Sequence, residues 1–293
     1  MAVRDTRGII DPSAMLRTVH FDRFPAPPAL DGLVDWFWCV RWHLGEGQSH
    51  SQHVLSHPCV NVSLGNPPPP GENPPLSPYA TRAVVNGVPT GRSTRVLTGA
   101  GWNLAAKTTI GGFGAWVDDV AGLTDLAVPG ADVIAGIDDD LAVRVAALTD
   151  RDAVARLAEA LVRAVERRPA RRVADTRAVA SSARAAERDR SVRTAGDLAA
   201  LSGVTVRTLQ RMYSSFVGIS PTAVIRRFRL IDAAELVKAG QPVAWAEVAA
   251  ELGYSDQAHL TRDFTATLGV PPAAYARAQV GARREPPRSG SLP

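Results

Sequence analysis

Two stretches of the chain share one pattern: residues 197–221 are DLAALSGVTVRTLQRMYSSFVGISP, and residues 247–272 are EVAAELGYSDQAHLTRDFTATLGVPP. Each begins with an alanine-rich segment and reaches a glycine a few residues later, Gly203 in the first copy and Gly253 in the second. Each then ends in a further glycine that a proline follows three residues later. Small residues let two helices cross closely and glycine permits the turn between them, so each copy is predicted to form a helix-turn-helix.

The second helix of the first copy is predicted to be amphipathic. Thr205 is a suitable N-cap, and Val204 before it can pack against Leu209. Four residues at helical spacing are predicted to face the core: Leu209, Met212, Tyr213 and Phe216. Four others are left on the outside: Val206, Arg207, Gln210 and Arg211. Long hydrogen-bond donors in the first half of such a helix can reach base edges and phosphates.

The second copy repeats this pattern with one more residue after its glycine. Ser255 or Asp256 can act as the N-cap. The inward residues are Leu260, Phe264 and Leu268, and the outward ones are Gln257, His259, Thr261 and Arg262. A carboxylate repels phosphate and accepts a hydrogen bond directly only from cytosine N4. The sequence therefore leaves two roles open for Asp256, that of N-cap and that of base contact.

A long helix is predicted between the two copies. Ser220 is its N-cap, Pro221 occupies the favoured first helical position, and Gly240 ends it. Such a helix has about 18 residues and is about 27 Å long. Two recognition helices on one face of a duplex lie about 34 Å apart, so one chain could contact two successive major grooves. The alternative is a pair of helical hairpins that hold a protein partner.

Charge separates the two halves of the chain. Residues 1–140 contain nine basic and fourteen acidic residues, whereas residues 141–293 contain 24 and 15. A basic half favours nucleic acid, because bound phosphates release counterions, although a solvated arginine-rich surface has the same composition.

Composition excludes several classes of protein. With 45% hydrophobic and 21% charged residues, the 293-residue chain is predicted to fold rather than to be disordered. No apolar run approaches the roughly 20 residues of a membrane span. Two cysteines cannot frame a disulfide scaffold or a four-cysteine zinc site. No signal peptide is visible, so a soluble, cytoplasmic protein without a membrane partner is expected.

The front half has the alternation of β-strands. Val34, Trp36, Trp38, Val40 and Trp42 are predicted to lie on one face of a strand, as are, in another, Val60, Val62 and Leu64. Asn86–Gly87 predicts a tight hairpin turn, and the seven prolines of residues 66–78 predict an irregular loop. Helical spacing begins near Leu141, in Leu141–Arg167 and Val173–Arg190, with a break at Pro169.

The basic half resembles the AraC/XylS family of bacterial transcription regulators from about Thr194 to Tyr275. The segments that carry the resemblance are LQRMY, GISP, RRFRL, ELGYSDQAHLTRDF and GVPPAAY. The resemblance implies a seven-helix DNA-binding domain with two helix-turn-helix units. By position, its base-facing candidates are Val206, Arg207, Gln210 and Arg211, then Gln257, Ala258, His259 and Arg262. Leu260 departs from the pattern, since an aromatic residue is common there.

The front half is similar to the N-terminal domain of one regulator subgroup in its segments DWFWCVRW, HVLSHPCVNVSL, GVPTGRSTRVLTGAGW and GGFGAWV. This similarity implies a cupin-like sensor or dimerisation domain. Trp36, Trp38 and Trp42 could line a ligand pocket there or fill the core.

Metal and enzyme chemistry are weaker interpretations of the front half. Four histidines, His43, His50, His53 and His57, fall within fifteen residues, with Cys59 nearby. They are weak candidates for a metal site, because a polar loop with a histidine at a strand entry is the simpler explanation. No catalytic motif is present, so no cofactor is expected, and a metal-dependent cupin-type enzyme fused to a DNA-binding domain is the one enzymatic alternative.

The expected fold class is α+β and multidomain: a β-rich, cupin-like barrel or sandwich followed by an all-α domain in which a long helix joins two helix-turn-helix motifs. The expected boundaries are a sensor or dimerisation domain at 1–140, a helical linker at 141–171 that is a candidate dimer face or relay, a DNA-binding domain at 172–280 and a disordered tail at 281–293. The two motifs are expected at about 195–216 and 244–268. The predicted function is that of a sequence-specific, effector-responsive transcription regulator. Its expected partners are double-stranded DNA, RNA polymerase, a small-molecule effector and a second copy of the chain.

Overall fold

The computed structural model describes residues 15, 18–54, 57–66, 80–91, 93–238, 243–251 and 253–277. Its strands are β1 (Val19–Pro25), β2 (Val34–His43), β3 (Ser49–Val54), β4 (Asn61–Gly65), β5 (Arg82–Asn86), β6 (Ser93–Thr98), β7 (Ala100–Thr108) and β8 (Ala127–Pro129). Its helices are α1 (Asp139–Ala146), α2 (Asp150–Glu166), α3 (Ala170–Arg188), α4 (Ala195–Leu201), α5 (Val206–Phe216), α6 (Pro221–Lys238), α7 (Trp245–Glu251) and α8 (Gln257–Leu268). Strands followed by helices are the predicted α+β order. Three predicted features lie outside the described residues: residues 67–78 of the loop predicted at 66–78, the helix end at Gly240 and the tail at 281–293.

The strands form two antiparallel sheets. One has six strands in the order β1-β2-β7-β4-β5-β8, and the other pairs β3 with β6. The long strands β2 and β7 are paired over nearly their whole length, from Val34 opposite Thr108 to His43 opposite Ala100. The β-rich N-terminal region that alternation and turn residues predict is therefore confirmed.

The six-stranded sheet buries a different set of side chains on each face. Phe37 and Cys39 of β2 join Leu104 and Ala106 of β7 in the main core, together with side chains of α1 and α2. On the opposite face, Trp42 packs with apolar side chains that include one from β6. Both faces of this sheet are therefore covered: one packs against helices, and the other packs against the second sheet.

Two sequence predictions for the strands are wrong. The register shifts between Val34 and Trp36, so Val34 packs in the core beside Phe37 rather than on the tryptophan face. A bulge inserts one residue, and one residue reverses the side that a strand's side chains face. Asn86–Gly87 forms no hairpin, because β5 pairs with β8 and the Gly87 N–H donates to Leu126 O.

The first predicted helical stretch is divided in two. Between α1 and α2 the chain turns at Thr149, whose side chain accepts a hydrogen bond from the Asp152 N–H and caps α2. Pro169 occupies the N-cap position of α3, as its predicted break implies. Leu157 and Leu161 of α2 are fully buried against the sheet, so α2 is part of the front half's core.

Contacts divide the chain into two compact units, Met1–Ile225 and Arg226–Pro293. The first unit contains the sheets, α1 to α5 and therefore the first helix-turn-helix, and the second contains α7 and α8. None of the described helices combines the length and apolar character that crossing a bilayer requires.

Candidate nucleic-acid interface

The turn of the first helix-turn-helix is a helix C-cap closed by glycine. Gly203 has φ +65°, and its N–H donates to Ala200 O. The next N–H, of Val204, donates to Ala199 O at 3.0 Å. This pair of bonds is the Schellman arrangement, which satisfies the last carbonyls of α4 and turns the chain sharply into α5.

The same turn recurs in the second unit. Gly253 has φ +70°, its N–H donates to Ala250 O, and the Tyr254 N–H donates to Ala249 O at 2.9 Å. The repeat seen in the sequence is therefore also a repeat of backbone hydrogen bonds, residue for residue.

Replacing Gly203 with alanine is expected to destabilise the first unit by about 1–2 kcal/mol, because an L-residue is strained at positive φ. No atom lies within 4 Å of the added Cβ, so strain is the only cost. Denaturant unfolding measures the effect, with Gly196→Ala in α4 as the control. Gly196 has ordinary helical φ, so the same chemical change there is expected to stabilise by about 0.5–1 kcal/mol. Two changes of the same sign would contradict this account of the turn.

Helix α5 is amphipathic as predicted. Thr205 caps it by accepting from the Thr208 N–H. The inward residues Leu209 and Tyr213 are completely buried and Phe216 is 8% exposed, while Met212 is half-buried. Burial raises the pKa of Tyr213 to about 12. The predicted core stripe is confirmed for three of its four members.

The outer face of α5 is exposed over its first six residues. The four predicted base-facing residues are all exposed: Val206, Arg207, Gln210 and Arg211. Val206 is one of few exposed large apolar side chains, at 40%. This face therefore presents two guanidinium groups, one amide and one apolar group.

In the second unit, Asp256 is the N-cap of α8. Its carboxylate accepts from the His259 N–H at 2.7 Å, whereas the Ser255 hydroxyl donates to Asp256 itself. The hydrogen bond from the His259 backbone holds the pKa of Asp256 below its usual range, with smaller help from Ser255. The structure thus shows the capping role for Asp256.

A pH dependence follows for the start of α8. The pKa of Asp256 is lower in the folded chain than in the unfolded one, so the cap stabilises α8 fully above the ordinary value of 3.8. That contribution is lost as the pH falls through the depressed folded value. Amide NMR shifts of residues 257–261, followed downward from about pH 5, are expected to show the cap opening. Asp256→Asn is the matched control, because its amide oxygen accepts the same bond without titrating. Identical pH profiles for the two chains would refute this role.

The outer face of α8 is less basic than that of α5. Gln257, Ala258 and Arg262 are exposed, and His259 is half-buried with its ring edge-on to Tyr254 at 5.0 Å. The inward residues Leu260, Phe264 and Leu268 are at most 1% exposed, as predicted. Counting from the N-caps Thr205 and Asp256, Arg211 and Arg262 occupy the same position of their helices.

A polar network behind α8 was not predicted. The Tyr254 hydroxyl donates to Asp263 at 2.9 Å, and the Arg226 guanidinium lies 4.0 Å from the same carboxylate. Burial raises the pKa of Tyr254 well above its usual value, with further help from Asp263. The sequence signal was a tyrosine directly after the turn glycine, but its partner Asp263 is nine residues away and faces it only once both helices are packed.

The three tryptophans of β2 have different surroundings. Trp42 is 4% exposed, lies in the apolar cluster and donates to Thr98 O, so it fills core. Trp36 and Trp38 are half-buried. Trp38 stacks on Phe21 at 6.3 Å between ring centroids.

Two cations that were not predicted contact Trp36. The Arg23 guanidinium lies 4.5 Å and the Lys107 ammonium 4.2 Å from the Trp36 ring centroid. Lys107 also bonds to Asp35 at 2.5 Å. A lysine directly after the apolar residues 104–106 was the available signal.

Among the side chains that the structure describes, none of the predicted histidines belongs to a group of three or more possible metal ligands. His43 is exposed at the end of β2, His50 and His53 are in β3, and His57 lies 3.7 Å from Glu187 of α3. A different set in the described part of the chain clusters as possible metal ligands: His20, Asp22 and Asp150. Because the Arg41 guanidinium already bonds to Asp150 at 2.6 Å, a cation there would face a positive charge.

Both cysteines are buried and free. Burial raises the pKa of Cys39 to about 12 and that of Cys59 to about 11. Thiols of this kind remain protonated and poorly nucleophilic at neutral pH.

The fold and the repeated turn define a protein with two helix-turn-helix motifs, and comparison with known proteins agrees. Residues 198–278 match a family described as a helix-turn-helix domain, and residues 22–128 match a domain of unknown function, DUF6597. No curated protein matches the chain.

Three solved structures are similar to parts of the chain. The DNA-binding domain of AdpA, a global transcriptional factor solved with target DNA, is 30% identical over 36% of this chain and 95% of its own, with a TM-score of 0.31. The C-terminal domain of AraT, a response regulator from Geobacillus stearothermophilus, is 24% identical over 40% of this chain and 93% of its own, and its TM-score is also 0.31. ToxT from Vibrio cholerae is 11% identical over 82% of this chain and 98% of its own, with a TM-score of 0.41. The chain belongs to the AraC/XylS family of transcription regulators.

Proposed function

We propose that the protein is a sequence-specific DNA-binding regulator that contacts two segments of duplex DNA with α5 and α8 and responds to a small molecule through its N-terminal domain. The observation that carries the proposal is the duplicated turn, in which the same two backbone hydrogen bonds precede a helix with an exposed polar face. A helical hairpin built only for packing has no need to keep donors exposed at matched positions of both second helices.

The exposed residues differ in the contact that each can make. Arg207, Arg211 and Arg262 supply guanidinium groups for guanine edges or phosphates and contribute most to affinity. Gln210, Gln257 and His259 provide hydrogen-bonding groups that distinguish one base from another. The two apolar side chains at these positions, Val206 and Ala258, suit the thymine methyl group.

The proposed effector site is the half-buried aromatic surface around Trp36 and Trp38. Aromatic walls with a few polar groups are typical of small-molecule sites. Arg23 beside Trp36 adds a cationic group, which favours an effector with an anionic group.

The test is selection of bound sequences from a random duplex library, with the full-length chain, at about 50 and about 200 mM salt. Enrichment of a motif with two half-elements, retained less at the higher salt, is the expected result. Retention that depends steeply on salt but shows no enriched motif would contradict sequence specificity in the absence of an effector. No retention at either salt would overturn the proposal and favour a helical module that binds protein.

A further inference from the structure

The end of α5 is bonded to the segment of the N-terminal domain between β7 and β8. The Val120 N–H donates to Ser215 O at 3.1 Å, and the Ser215 hydroxyl donates to Asp118 O at 3.0 Å. The Thr124 hydroxyl donates to Gly218 O, also at 3.1 Å. Three hydrogen bonds therefore join residues 215–218, at and just after the end of the first recognition helix, to residues 118–124, which we call the docking segment.

Arg172 of α3 connects the residues on both sides of this contact. Its Nε donates to Gly114 O at 2.8 Å, and its Nη2 donates to Val117 O at 2.9 Å and to Asp118 O at 3.1 Å. Its Nη1 donates to the Ser215 hydroxyl at 3.3 Å. One planar guanidinium thus satisfies three backbone carbonyls of the N-terminal domain and one side chain of α5.

The packing around Arg172 is tight. Its guanidinium carbon lies 3.8 Å from the ring centroid of Phe216, the last residue of α5. A Cβ at Gly114 would come within 2.5 Å of the Phe216 ring, so glycine is needed for this approach. The guanidinium and the Phe216 ring therefore have little freedom to shift against the docking segment.

The residues directly before the docking segment anchor it to the core of the front half. The Trp116 indole N–H donates to Leu161 O of α2 at 3.0 Å, and Phe113 packs against Trp116 in the main core. The exposed residues Arg207, Gln210 and Arg211 are on the opposite side of α5 from Phe216. The N-terminal domain consequently holds α5 from behind and leaves its polar face open.

We infer that Arg172 is a positioning residue for DNA binding: through it, the N-terminal domain sets the orientation of the first recognition helix. This inference rests on the proposed function, because it assumes that α5 contacts DNA. It adds that α5 is held by the sensor domain as well as by its own helix-turn-helix, so that a change in the sensor core reaches α5 through residues 113–124.

The test compares Arg172→Ala with Arg171→Ala in the full-length chain. Arg171 is adjacent, has a side chain 93% exposed and has one distant ion pair at 4.0 Å, so it is the matched control for charge. The probe is the duplex motif selected by the wild-type chain, with either half-element scrambled in turn. Hydrogen exchange of residues 206–217 is measured in parallel.

Arg172→Ala is expected to lower affinity by about tenfold or more, because hydrogen bonds from a charged group are lost. On the duplex in which the half-element contacted by α5 is scrambled, Arg172→Ala and the wild-type chain should bind with the same affinity. Hydrogen exchange of residues 206–217 should be faster in Arg172→Ala than in the wild-type chain. Arg172→Lys should recover only part of the affinity, since a lysine cannot bond in the planar fork. Arg171→Ala should change affinity by no more than about twofold.

Two milder variants guard against simple misfolding. Ser215→Ala removes the hydroxyl that bonds both Asp118 and Arg172, and Thr124→Val removes the bond to Gly218 with little change in shape. Each is expected to lower the affinity for the half-element that α5 contacts by about two- to fivefold. If Arg172→Ala, Ser215→Ala and Thr124→Val all bind like Arg171→Ala and exchange is unchanged, the inference is wrong. If the wild-type chain itself selects no motif, the proposed function is what has failed.

Discussion

Arg211→Ala and Arg262→Ala are each expected to weaken binding to the selected duplex by about 1–3 kcal/mol. Both side chains are exposed and lie six residues after the N-cap of their helix, Thr205 for Arg211 and Asp256 for Arg262. Equivalent positions in a repeated motif should meet equivalent features of the DNA. The double variant should lose about the sum of the two effects, since separate half-elements are independent.

The kind of contact can be distinguished in the same experiment. If the arginine binds a phosphate, affinity falls about equally for all sequences and the salt slope decreases by about one. If it binds a guanine edge, the base preference at one position of one half-element relaxes. Arg156→Ala on α2 is the control, because that side chain is 65% exposed and lies outside both motifs. Wild-type affinity in both single variants would refute the assignment of α5 and α8 as recognition helices.

Phe264→Ala is expected to destabilise the second unit by about 3–5 kcal/mol. The side chain is completely buried, with the Trp245 ring 5.2 Å and the Tyr275 ring 5.8 Å from its own, both edge-on. Truncation removes the ring that both aromatic neighbours contact and leaves a cavity in a small unit. Thermal unfolding followed by the amide NMR signals of α8 would measure the loss in this unit.

Arg262→Ala is the matched comparison for Phe264→Ala, since it is two residues away on the outer face of the same helix. It is expected to change stability by about 0.5 kcal/mol or less while DNA binding falls. Phe264→Ala should lose both stability and binding to the half-element of α8. A loss of stability of less than about 1 kcal/mol for Phe264→Ala would contradict the packing of this unit.

Local features of the two motifs could be predicted because their physical cause lies within a few residues. The Thr205 cap needs only the N–H of Thr208 three residues on, and the Ser220 cap likewise bonds the Ala223 N–H. Helical periodicity alone assigns Leu260 and Phe264 to the buried face. The choice between Ser255 and Asp256 as cap was open in the sequence, since serine and aspartate are both favoured at the N-cap position.

Predictions for the front half were less accurate, because a strand's partner is not encoded beside it. Asn86–Gly87 has the composition of a hairpin, yet β5 pairs with β8 some 40 residues later in the chain. The bulge after Val34 depends on the pairing of β2 with β7 and reverses the face on which Val34 lies. Alternation shows that a strand exists but does not say which face is inside.

Local sequence accounts for the duplicated motif, its caps, its buried stripes and the donors on its outer faces, because helices are stabilised by contacts between residues three or four apart. What holds the first motif from behind depends instead on tertiary packing. Arg172 reaches carbonyls 54 to 58 residues earlier in the chain, and Lys107 bonds to Asp35 at a separation of 72 residues. Such contacts form only when distant segments pack, since a buried guanidinium or ammonium is stable only where the fold supplies its acceptors.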